Sequence, residues 1–142
     1  MIRITPDTNV LISAFFYNGN ERAILKAAIR GKLRFILSME ILDELIRVLH
    51  EKFVVDLEVT KDYVLRLNEV TDIVKPRALL DVVVRDREDV KVIECADSGN
   101  CEYIVTGDRD LLSQKSYKRM KIVTAGELVR MLKSRKRSPR KR

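Results

Sequence analysis

Short apolar runs alternate with longer helical patterns along almost the whole chain, and this alternation constrains the fold more than any single residue does. Residues 2–5 (IRIT), 34–37 (RFIL), 72–74 (DIV), 102–106 (EYIVT) and 121–123 (KIV) read as strands. Helical patterns fill the spaces between them, at 9–17, 21–30, 38–52, 60–68, from the polar stretch RDRED to 98, and at 125–133. Ser38 is a helix cap, with an apolar face behind it at Ile41, Leu42, Leu45, Val48 and Leu49, while Gly31 and Gly99 stand at expected helix ends. One more apolar run, 82–84, precedes RDRED. Strands separated by helices of this length predict an α/β domain whose parallel sheet is covered on both faces. Ligands of such sheets bind outside the carboxyl ends of the strands.

Composition limits the classes of function. An apolar content of 46% with 35% charged residues is that of a folded globular domain, and 142 residues suffice for one core. No apolar run approaches the roughly 18 residues that span a bilayer. The strand-like opening MIRIT lacks an apolar signal region, so a cytoplasmic protein with Cys95 and Cys101 as reduced thiols is expected. The net charge of +7 is local: the last ten residues, KSRKRSPRKR, hold seven Lys or Arg, and without them 21 basic residues face 21 acidic ones. Residues 1–133 therefore read as the domain and 134–142 as a flexible basic tail. Arg135, Lys136, Arg137 and Arg140 either bind a nucleic-acid backbone by counterion release or simply keep the chain soluble.

Several acids sit where a core or a strand end is expected. Asp7 follows the first strand, as a helix cap or as a ligand, with Asn9 beside it as an amide donor. Glu44 lies roughly 40° beyond the apolar arc of its helix, on the core side. Asp89 projects into the face set by Val92, Ile93 and Ala96, where a carboxylate needs a partner or a place in the first helical turn behind Asp86. Asp97 is expected in solvent. Asp108 and Asp110 follow the strand 102–106, on the same sheet edge as Asp7. Converging carboxylates repel one another unless a cation neutralises them, and oxygen ligands without Cys or His suit Mg²⁺ or Mn²⁺. The single histidine, His50, reads as an exposed helix-end residue. Acid clusters of this kind support phosphoryl chemistry, and neither a Walker loop nor a dinucleotide-binding glycine pattern competes with that reading.

Four segments, DTNVLIS (7–13), SMEILDELIRVL (38–49), DREDVKVIECA (86–96) and YIVTGDRDLL (103–112), resemble in order and spacing the PIN-domain family of metal-dependent ribonucleases. The nearest subgroup is the stand-alone prokaryotic PIN proteins, VapC-like toxins of toxin–antitoxin pairs. The resemblance implies a three-layer α/β/α fold with about five parallel strands. It implies Asp7, Glu44, Asp89 and Asp108 as the catalytic acids, with Mg²⁺ or Mn²⁺ held by Asp7, Asp89, Asp108 and Asp110. Thr8, Asn9 and Thr106 would orient carboxylates or water. It further implies an RNA substrate cut to 3′-hydroxyl and 5′-phosphate ends, a cognate antitoxin and a homodimer. The basic tail departs from the usual pattern of small toxins.

Two other classes compete. An RNA-binding module with an unused site, serving RNA processing or the ribosome, would draw its affinity from the tail. An aspartyl phosphatase would need an acid where Asn9 stands, and a phospho-receiver domain would need paired acids around the first strand.

Overall fold

The structure, a computed structural model, describes residues 1–79 and 87–137, the last two of these by backbone alone. The apolar run 82–84, Asp86 and Arg140 lie outside the described residues, as do the side chains of Lys136 and Arg137. The chain forms a three-layer α/β/α fold. Its elements run β1 (Ile2–Pro6), α1 (Thr8–Phe16), α2 (Asn20–Ile29), β2 (Leu33–Leu37), α3 (Met39–Glu51), α4 (Leu57–Glu69), β3 (Thr71–Ile73), α5 (Arg87–Ser98), β4 (Tyr103–Val105), α6 (Arg109–Leu112), β5 (Ser116–Tyr117), β6 (Met120–Val123) and α7 (Ala125–Arg137).

The sheet order is β3-β2-β1-β4-β6-β5; every pairing is parallel except β5 with β6, a short antiparallel addition to the five expected strands. Both β1 and β2 are buried along nearly their whole length, as strands covered on two faces must be. Ile4, Phe35, Ile36, Leu37, Ile104 and Val105 form the middle of the core, and α5 lies across β1, β2 and β4. From β1 the chain proceeds outward through β2 to β3 and then returns to the other side of β1 with β4. The junction of β1 and β4 is therefore the topological switch point, where an open parallel sheet leaves a crevice at its carboxyl edge.

Helix ends shift by a few residues from expectation, for local reasons. Helix α4 begins at Leu57 rather than at 60 because Asp56 accepts the Glu58 N–H at 2.8 Å and caps it. Helix α7 continues through Arg137, four residues beyond its expected end, so the root of the basic segment is helical. Asp97 is half-buried against Lys118, 3.2 Å away, and not in solvent. Cys95 and Cys101 are buried free thiols on either side of Thr5; burial pushes them up to about 12 and about 11. No helix of the described residues is long and apolar enough to cross a membrane.

Candidate functional site

Asp7 and Asp108 leave the sheet side by side. The pairing of β1 with β4 ends with Pro6 opposite Val105, and the Asp7 N–H extends it by donating to the Val105 carbonyl at 3.0 Å. Each aspartate then caps the helix that follows: Asp7 accepts the Val10 N–H at 2.9 Å, and Asp108 accepts the Asp110 N–H at 2.8 Å and the Leu111 N–H at 3.3 Å. The capping role and the cavity position are thus compatible, because a cap residue at a strand end already faces the switch point. Thr106 ties the pair together. Its hydroxyl donates to Asp7 Oδ2 and accepts the Asp108 N–H at 3.0 Å.

A cavity of about 190 Å³ opens here, lined by Asp7, Thr8, Asn9, Glu44, Val48, Glu88, Asp89, Lys91, Val92 and Asp108. Glu44 arrives from α3, whose Ser38 cap accepts the Ile41 N–H at 3.2 Å and sets the helix rotation. Asp89 arrives from the first turn of α5 and is buried. All four expected catalytic acids line this one cavity. Asp110 does not: it is exposed at the start of α6. Thr8 donates to Glu44 Oε1 at 2.6 Å, whereas exposed Asn9 lines the wall and holds no carboxylate of the described residues.

The sequence reading missed Lys91. It is only 4% exposed, and its ammonium lies 2.7 Å from Glu44 Oε1 and 2.6 Å from Glu88 Oε1. The Glu88–Lys91 spacing is a visible helical pair, but Glu44 belongs to another helix, and only folding reveals that bridge. Burial alone would raise the Glu44 carboxyl; hydrogen bonds with Glu88, Lys91 and Thr8 outweigh it and hold the group at about 2. The hydrogen bond shared with Glu44 keeps the Glu88 carboxyl above its ordinary range. Lys91 stays charged because its bonds to both glutamates offset the effect of burial. In the same cavity, burial pushes Asp7 up, the Thr106 and Val10 hydrogen bonds pull it back, and the charges of Asp108 and Glu44 push it up again.

An oxygen-only donor set in a cavity of this charge fits a hard divalent cation. As the side chains stand, no three of the described acids converge tightly enough to cage an ion. Arg135 lies at the other edge of the sheet, exposed beside a hollow it shares with Met1, Ile2, Lys32, Glu102 and Leu132.

The PIN domain family model matches residues 3–110, a span that contains every acid of the cavity. Solved structures of similar fold include two from prokaryotes. One is a chain in the crystal structure of VapBC2 from Rickettsia felis bound to a DNA fragment from their promoter; it is 13% identical, with a TM-score of 0.62 over 87% of this chain and 98% of that one. The other, PAE2754 from Pyrobaculum aerophilum, is 19% identical, with a TM-score of 0.61 over 94% of this chain and 90% of that one. No curated protein sequence matches the chain significantly.

Proposed function

The chain belongs to the PIN domain family, and from that premise we propose that it is a Mg²⁺- or Mn²⁺-dependent endoribonuclease working at the switch-point cavity. The observation that carries the reading is the convergence of Asp7, Glu44, Asp89 and Asp108, from four separate elements, on one wall system. A bound divalent ion would polarise the phosphodiester and lower the pKa of the attacking water. Asp7, Asp89 and Asp108 are the residues to hold it. Thr106 fixes the direction of Asp7, and the capping bonds fix that of Asp108. Glu44, kept ionised and aimed by Thr8, would orient the attacking water by a hydrogen bond.

In this reading residues 1–133 are the nuclease domain, and the basic segment 134–142 retains RNA away from the acids. A cytoplasmic toxin of a toxin–antitoxin pair, with a cognate antitoxin and a homodimeric state, is the role the family resemblance favours. The alternative is an RNA-binding module without catalysis, and the open spacing of the carboxylates favours it. Incubation of a mixed RNA pool with purified protein in Mg²⁺, Mn²⁺ or chelator, beside Asp7→Asn, separates the two. Metal-dependent cutting that disappears in the variant supports the nuclease. Retention of RNA with no cutting in any metal supports the binder.

A further inference from the structure

The cavity has two unlike halves. Asp7 and Asp108 are met, among the described residues, by neutral donors alone: the Thr106 hydroxyl and the N–H groups of Val10, Asp110 and Leu111. Glu44 and Glu88 are met by a full positive charge, the buried ammonium of Lys91. Glu44 Oε1 also receives the Thr8 hydroxyl at 2.6 Å, so this oxygen already carries two donors. A Mg²⁺ ion at its usual distance of about 2.0–2.1 Å from that oxygen would meet the ammonium as a like charge in a poorly solvated place.

We propose that Lys91 is a resident cation, its ammonium standing beside Glu44 where a second divalent ion would bind, so that the cavity takes one divalent ion, on its Asp7–Asp108 side. The inference rests on the metal-dependent reading above and deepens it. Lys91 is then a positioning residue, since it touches neither substrate nor ion and acts through Glu44. It also sets a division of labour: Asp7 and Asp108 serve the ion, while Glu44 is held by protein charge whether or not an ion is present. Lys91 can do this because burial and carboxylates at 2.7 and 2.6 Å hold its ammonium in place, where an exposed lysine would be hydrated and mobile.

The test is Mn²⁺ binding by the full chain, followed by the loss of the free-ion paramagnetic resonance signal and by calorimetry, without substrate. The native chain is expected to bind one Mn²⁺. Glu44→Gln is expected to keep that affinity within about threefold, whereas Asp7→Asn loses it, because Glu44 is engaged by Lys91 and not by the ion. Lys91→Met, which keeps the length and removes the charge, is expected to gain a second Mn²⁺ or to raise weak binding there roughly tenfold; Lys91→Arg is expected to stay at one. Two ions on the native chain overturn the proposal, as does a Lys91→Met protein, folded by circular dichroism, that binds one ion as before. If Lys91→Met does not fold, the native count and Glu44→Gln still decide, since loss of binding in Glu44→Gln makes Glu44 a ligand. One ion lost only in Asp7→Asn leaves the metal site standing whatever becomes of Lys91. No Mn²⁺ on the native chain overturns the metal-dependent reading and this one together.

Discussion

The hydroxyl of Thr106, at the end of β4, donates to the carboxylate of Asp7 at the end of β1, and so couples two neighbouring parallel strands at the point where their pairing stops being backbone to backbone. The same oxygen accepts the Asp108 N–H at 3.0 Å. Thr106→Val keeps the shape and removes both bonds. Cleavage is expected to fall by about 10- to 100-fold, as when a residue behind a metal ligand is lost. The unpaired Asp108 N–H and Asp7 oxygen should cost about 1–2 kcal/mol of stability. Thr106→Ser should recover most of both. Single-turnover rates and thermal melts of the three proteins check this.

Asp7 is expected to show opposite effects on function and stability. Its folded pKa is raised above the ordinary 3.8, chiefly by burial. Its contribution to stability is therefore fully present at low pH and is lost as pH rises through the raised value. Asp7→Asn removes that loss. Without metal at neutral pH the variant should melt at a higher temperature than the native chain. The gap should close as pH falls toward 3.8. With Mn²⁺ the order should reverse, since an ion that binds only the folded native chain stabilises it by mass action. Calorimetric melts across pH, with and without Mn²⁺, give the answer.

Much of this was legible before folding was considered. Strands buried on both faces must be continuous apolar runs, which is why β1, β2, β4 and β6 stand out from the helices. Strand β5 did not, because two residues carry no period to detect. Asp7 and Asp108 were visible as acids after strands, and Asp89 as an acid on an apolar face. Lys91 was not. A lysine is read as solvated, and its burial depends on Glu44, whose helix α3 lies far away in the chain. Glu94 was hidden for the same reason: it is buried because Oε2 accepts the Leu79 N–H at 3.1 Å. Asp110 went the other way, since a two-residue offset from Asp108 in sequence becomes a turn outward once Asp108 caps α6.

Gly99, just past α5, is a structural requirement of the sheet. A Cβ there would lie 2.2 Å from Cγ2 of Ile36, a wholly buried β2 side chain. The Gly99 carbonyl also accepts from Arg3 Nε at 2.8 Å, so the loop cannot simply swing away. Gly99→Ala is expected to cost about 1–3 kcal/mol through overpacking, lowering Tm by several degrees. Ile36→Val in that background, which thins the side chain, should restore part of the loss. Denaturant midpoints of the single and double variants measure both steps.

The basic segment is expected to act on affinity more than on chemistry. Arg135 sits beside Met1, Ile2 and Glu102, at the edge where strands begin, whereas Asp7 and Asp108 sit where they end. Removing 138–142 takes away Arg140, Lys141 and Arg142 and leaves α7 intact. Every phosphate of single-stranded RNA that the protein no longer neutralises lowers the slope of log affinity against log salt by about 0.7, so the slope should flatten by roughly 2. The cost should fall on KM rather than kcat and should fade at high salt, where these charges are already screened. A salt titration of RNA binding, paired with cleavage kinetics of the truncated chain, tests it: an unchanged slope would mean that the segment does not touch RNA.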